Sequence, residues 1–212
     1  MKGLSGAARW TIAVVAVVAA LVVALVAQLR DDAVPKTGTA GPAGRGHRDA
    51  DTVEALAGPR QRADLAPCPA PSAGWGVPVL QGVMVECAAD GAPVDVAKAL
   101  AGRRVVINLW AYWCGPCAAE LPAMAEYQRR VGSDVVVVTV HQDENETAAL
   151  LRLAELGVHL PTLQDGRRRV AAALRVANVM PATVVLRPDG SVAQTLPRAF
   201  DSADEIAAAV GE

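Results

Sequence analysis

Two cysteines separated by Gly115 and Pro116 constrain this chain more than any other feature. Cys114 and Cys117 follow an apolar run, residues 105–110, broken only at Asn108, and open a segment expected to be helical to about Arg130. Such a run is what a strand covered on both faces needs. The pair is therefore placed where a buried strand hands over to a helix N-terminus. Unsatisfied N–H groups and a partial positive charge at that end favour a thiolate on Cys114 and lower its pKa. Cys117 sits one turn further in, where it is expected to be more buried and able to attack a mixed disulfide. The chemistry implied is two-step thiol–disulfide exchange. A zinc site would need a second ligand pair, and Cys68 with Cys87 lacks that spacing. Covalent haem would need a histidine after Cys117, and Ala118 stands there. Neither a metal nor a cofactor is expected.

Around this motif the pattern predicts short extended pieces at 83–87 and 94–96, about a turn at Asp90-Gly91. It predicts a second buried strand at 135–140 and a helix over 144–156. A short helix is expected at 168–176. Strands at 183–187 and 192–196 flank Pro188-Asp189-Gly190, a hairpin signal. Ser202 caps a last helix to Val210, with Glu205 completing a capping box. Strand–helix–strand–helix, then a hairpin and a helix, predicts an α/β fold: a central mixed β-sheet flanked by helices.

The other strong signal is N-terminal. Residues 11–29 form nineteen positions with only Thr11 and Gln28 polar, roughly 28 Å as a helix and about one hydrocarbon core. Lys2 and Arg9 precede this run, while Arg30, Asp31 and Asp32 follow it. The positive-inside rule places the N-terminus in the cytoplasm and the rest outside. The run is longer than a signal-peptide core and no clean A-x-A follows, so an uncleaved single-pass anchor is favoured over cleavage near Ala24 or Ala27. Three regions result: cytoplasmic N-terminus and transmembrane anchor (1–30), a flexible linker (31–65) and a folded domain (66–212). The linker is rich in Gly, Pro and Ala, with a short helix between 51 and 65 interrupted at Gly58-Pro59. A net charge of −2 and pI near 5.9 lack the basic excess of a nucleic-acid binder.

The segment Trp113-Cys114-Gly115-Pro116-Cys117 resembles the active site of thioredoxin-like proteins. The wider stretch from Val106-Ile107-Asn108-Leu109-Trp110 through Glu120-Leu121-Pro122 is similar to the membrane-anchored TlpA/ResA branch of thiol–disulfide oxidoreductases. Leu160-Pro161-Thr162, Val179-Met180-Pro181-Ala182-Thr183 and Arg187-Pro188-Asp189-Gly190 extend the likeness from about Cys68 to the C-terminus. The resemblance implies a thioredoxin-like fold, Cys114 as attacking thiol and Cys117 as resolving thiol. It implies a cis-proline at Pro181 against the disulfide, and pairing of an extended substrate with the backbone of Met180. Glu120 matches an acidic residue of this branch and shares a helix face with Cys117, so it is a candidate proton relay; a solvated glutamate is the alternative. Thioredoxins proper carry a buried aspartate where this chain has Asn108, which cannot titrate. Trp113 is expected at the surface beside the nucleophile and Trp110 in the core. Pro122 is expected to kink the helix.

The implied function is an extracytoplasmic reductase of protein disulfides, fed by a membrane electron-transfer partner, with cytochrome c maturation as the setting of several family members. The alternatives are an oxidant for secreted proteins, or a non-catalytic copper chaperone binding Cu(I) through Cys114 and Cys117. The chaperone relatives space their cysteines differently and add a histidine. Pairing 114–117 leaves Cys68 and Cys87, one of three connectivities, for a structural bond or a second redox relay. His47 is expected in the linker, His141 at a strand end in an acidic turn, with metal ligation as the alternative, and His159 at a strand edge. Arg167, Arg168 and Arg169 read as a solvated helix start, with anion binding as the alternative.

Overall fold

The computed structural model describes residues 16–20, 52–73 and 76–211. The chain divides into two units, Met1–Arg45 and Gly46–Glu212. Of the first, residues 16–20 are described and are helical; the remainder of the expected anchor lies outside the described residues. Among the described residues no helix is long and apolar enough to cross a membrane.

The second unit is built on seven strands: β1 (Met84–Cys87), β2 (Pro93–Asp95), β3 (Arg104–Trp110), β4 (Val135–His141), β5 (Thr162–Gln164), β6 (Ala182–Leu186) and β7 (Val192–Leu196). They form one sheet in the order β2-β1-β5-β4-β3-β6-β7. β3 and β4 run parallel, from Arg104 opposite Val135 to Trp110 opposite His141. β6 lies antiparallel on the other side of β3, with Thr183 opposite Asn108. The helices are α1 (Val53–Ala63), α2 (Val96–Ala99), α3 (Gly115–Val131), α4 (Glu146–Leu156), α5 (Arg169–Ala173) and α6 (Ala203–Val210).

The apolar run of β3 divides by alternation between two cores. Val105, Ile107 and Leu109 join Leu80, Val96, Leu100 and Val170 on one face. Val106 and Trp110 join Cys117, Leu121 and Met124 of α3, Leu153 of α4 and Ile206 of α6 on the other. Because both faces are covered, β3 can be apolar at nearly every position. Along α3 the fully buried positions are Cys117, Glu120, Leu121 and Met124, the i, i+3, i+4, i+7 stripe of an amphipathic helix. Glu120 thus occupies a core position. Pro122 lies within α3, and the helix continues to Val131.

Several elements depart from the sequence reading. Residues 53–63 are one uninterrupted helix. Thr52 caps it, Pro59 is buried within it, and Arg60 donates to Glu146 of α4 at 2.9 Å. Docking on α4 outweighs the local cost of an internal proline. The His159 ring Nδ1 donates to the carbonyls of Ala63 and Asp64 at the end of α1. Strand β2 stops at Asp95, whose side chain caps α2 by accepting from Lys98 N–H, so Val96 begins a helix. The short helix expected over 168–176 spans only α5. Cys68 and Cys87 are disulfide-bonded, Cα to Cα 5.9 Å, joining the segment after α1 to the end of β1.

Candidate active site

β3 ends at Trp110, and residues 111–114 turn the chain into α3. Cys114 is the N-cap of α3: its Sγ accepts from the Cys117 backbone N–H at 3.3 Å, and Pro116 occupies the first turn, where its missing N–H costs nothing. Cys114 and Cys117 are joined as a disulfide, Cα to Cα 5.3 Å. Cys117 is fully buried. Cys114 is 6% exposed, more enclosed than a free helix end implies, yet it is the sulfur nearer to solvent.

The chain before β6 forms the second wall. The Met180–Pro181 peptide is cis; Pro181 is buried, Met180 is half-buried, and Met180 packs against the cluster that contains both active-site cysteines. Trp113 is 57% exposed and its indole N–H donates to Asp143 Oδ2 at 3.1 Å. That bond holds an apolar surface at the rim.

Beneath the disulfide lies a buried polar group of three side chains. Asn108 Nδ2 donates to Glu120 Oε1 at 3.3 Å. Thr183 stands opposite Asn108 in the sheet. All three residues are fully buried. Burial pushes the Glu120 carboxyl from 4.5 up to about 8, and the neighbouring Asn108 amide, Thr183 and Arg198 offset only part of it. Asn108 Oδ1, Glu120 Oε2 and Thr183 Oγ1 have no well-formed hydrogen bond of their own, so the group is polar but incompletely satisfied. A neutral carboxylic acid is the form such surroundings favour.

His141 is not in an exposed loop. It ends β4, fully buried, 5.0 Å from the Trp110 ring and 6.0 Å from that of Tyr112. Its Nδ1 donates to Gln164 Oε1 at 2.8 Å, and the Gln164 amide donates on to the Asp143 carbonyl. The sequence reading put His141 at the end of a strand but not its burial, and gave Thr183 and Asp143 no part in the site. The register of two parallel strands is the signal that would have found His141, since it ends beside Trp110.

A family model described as Redoxin matches residues 69–209. The chain belongs to the Redoxin family. The chain is similar to the thiol-disulfide oxidoreductase ResA of Bacillus subtilis (strain 168), 33% identical over 98 residues, which is 46% of this chain and 54% of that protein. ResA of Oceanobacillus iheyensis is 32% identical over 97 residues, 44% of this chain and 48% of the relative. The chain therefore spans about half the length of the curated relatives it matches. Among solved structures, a secreted Mycobacterium tuberculosis disulfide oxidoreductase homologous to E. coli DsbE is 26% identical with a TM-score of 0.55, covering 63% of this chain and 96% of the other. A DsbF homologue from Corynebacterium diphtheriae, 22% identical with a TM-score of 0.55 and covering 83% of this chain and 98% of the other, shares the fold. The Redoxin domain of this chain has the thioredoxin-like α/β architecture.

Proposed function

We propose that this protein is an extracytoplasmic thiol–disulfide oxidoreductase that reduces protein disulfides through Cys114 and Cys117. The observation that carries the reading is the Cys114–Cys117 disulfide at the N-terminus of α3, with Met180 of the cis Met180–Pro181 peptide packed against the same cluster and the buried acid of Glu120 on the same helix. In the dithiol form, the Cys114 thiolate attacks a substrate disulfide. A Cys114–substrate bond forms, the substrate S–S bond breaks, and one substrate thiolate leaves to be protonated by solvent. Glu120 in its carboxylate form, the minority form at neutral pH, takes the proton from Cys117, which attacks Cys114 Sγ. The internal disulfide closes and the second substrate thiolate leaves, also to be protonated by solvent. The substrate gains two electrons and two protons.

Once the disulfide is closed, the carboxyl, pushed up to about 8 by burial, keeps that proton at neutral pH. When a donor dithiol reopens the bond, the acid returns the proton to Cys117. Asn108, which cannot titrate, orients the carboxyl and takes no proton. An extended substrate pairs with the backbone at Met180, and Trp113 and Met180 supply apolar contact. Met180 and Trp113 are neutral, which suits varied sequences around the substrate cysteine.

Residues 11–29 anchor the chain, with the N-terminus cytoplasmic and the Redoxin domain outside; a membrane electron-transfer partner returns the pair to the dithiol. Proteins entering cytochrome c maturation are the proposed substrates, on the likeness to the TlpA/ResA branch. A glutathione redox titration of the purified protein tests the direction. A reductase gives a potential near thioredoxin, about −270 mV, whereas a value near the strong oxidant DsbA, about −120 mV, assigns the oxidant role instead.

A further inference from the structure

We infer that Arg168 makes the cis-proline side of the site a recognition surface for acidic segments flanking the substrate cysteine. The inference rests on the redox reading above and adds the substrate's charge. Arg168 lies in the loop after β5. Its Nε donates to Gln142 Oε1 at 3.2 Å and its Nη1 donates to Asn178 Oδ1. Gln142 follows His141 and donates its backbone N–H to the Trp110 carbonyl; its neighbour Asp143 holds Trp113. Asn178 is two residues before Met180. The guanidinium thus bridges the two loops that border the disulfide, one carrying the Trp113 partner and the other leading to the cis peptide.

Both side-chain partners are neutral amides, and the charge also acts on the buried Asp165 carboxylate, whose ionised form it favours. Among the described residues no carboxylate lies within ion-pairing distance of Arg168, or of the exposed Arg167 and Arg175 in the same stretch. The backbone adds an independent observation. Arg168 has φ 56 and ψ 34 and Arg175 has φ 56, a left-handed conformation that arginine rarely adopts. Strain of this kind gathers where a side chain must be held in place for a purpose.

The carboxylates nearby are engaged or placed elsewhere. Asp165 is buried and accepts from the backbone N–H groups of Arg169 and Val170. Asp143 accepts from Asn145 N–H and the Trp113 indole. Glu144 is exposed but packs over Gly166, where an added Cβ would come within 3.1 Å of it. The Arg168 guanidinium, held by the two loops that border the disulfide, places a cation on that flank, with the carboxylates of Asp143 and Glu144 on the loop that carries Gln142. An extended peptide with its cysteine at Cys114 and Asp or Glu a few residues away complements that flank.

The test compares three disulfide peptides that differ only in flanking residues, acidic, lysine-rich or serine-rich, as substrates of the full-length protein and of Arg168→Glu. Expected is exchange about fivefold faster with the acidic than the serine-rich peptide at low salt. The preference, read as the ratio of acidic- to serine-peptide rates within each protein so that any general effect of losing the bridge cancels, should fade at high ionic strength and be lost or reversed in Arg168→Glu. A second readout is independent of redox chemistry: anisotropy of the same peptides with cysteine replaced by serine, where the acidic one should bind more tightly and lose that advantage in Arg168→Glu. Absence of exchange with every peptide would count against the redox reading alone, and the anisotropy would still decide the surface. Equal binding and equal rates for acidic and lysine-rich peptides, or a preference that Arg168→Glu leaves intact, would overturn the inference.

Discussion

Asn108 Nδ2 lies 3.3 Å from Glu120 Oε1, a contact between the central strand β3 and the helix α3 made entirely inside the protein. The amide donates, so it can satisfy one carboxyl oxygen in either protonation state. It offsets only part of the burial cost of the charge, which is why the acid is held near 8. In the proposed mechanism the helix, through Glu120, supplies the titrating group near the inner cysteine that the strand, with Asn108, does not.

The raised acid makes oxidised protein less stable as pH rises. Below about pH 4.5 the carboxyl is protonated in folded and unfolded chains alike. Between 4.5 and about 8 the unfolded chain releases the proton while the folded chain keeps it, so stability falls; above about 8 the fall from this group stops. The total is at most about 5 kcal/mol. Glu120→Gln should flatten this slope and be the more stable protein at pH 8, as read by urea unfolding at successive pH values. An unchanged slope would mean that Glu120 ionises freely.

Cysteine variants should separate the two chemical steps. Cys117→Ser is expected to accumulate a mixed disulfide through Cys114, and Cys114→Ser to abolish exchange. Glu120→Gln should slow the resolving step by on the order of tenfold or more while leaving the first attack nearly unchanged. Stopped-flow Trp fluorescence over pH 5–9 reads both phases. Equal slowing of both would assign Glu120 a structural role.

The Cys68–Cys87 bond should contribute roughly 3 kcal/mol, given the length of the loop it closes. Replacing both with serine should lower the denaturation midpoint without altering the potential of the active-site pair. A shift of that potential in the double variant would instead point to a relay between the pairs.

Full-length protein should remain with membranes after an alkaline wash, and protease added from outside should reach the Redoxin domain. Recovery of a soluble form starting near Ala27 or Gln28 would replace the anchor with a cleaved leader.

The central strands and the site helix could be read from residues alone, because two-sided burial leaves an apolar run and α3 is announced by its capping cysteine and proline. Residues 192–196 were placed correctly by the turn between them and β6. Legibility failed where a distant contact decided the outcome. Pro59 is tolerated because α1 docks on α4 and Arg60 meets Glu146. β5 has three residues, too few for a period, and exists through pairing with β4 and β1. The hydrophilic look of His141-Gln142-Asp143-Glu144 hid a histidine that the sheet register buries. Spacing put Glu120 on the face of Cys117, but only the packing of α3 against β3 and β6 distinguished a buried acid from a solvated one.

The bond between Cys68 and Cys87 also sets how far disorder can travel along the chain. If α1 lifts from α4, breaking the Arg60–Glu146 pair, the opened segment ends at a covalent knot on β1, inside the edge strand β2. Fraying upstream of residue 68 therefore stays local. Amide hydrogen exchange in α1 can be fast while β1, β5 and the floor beneath the active site keep their protection. A tug on the linker would be absorbed by one small helix before it reached the geometry of Cys114 and Cys117.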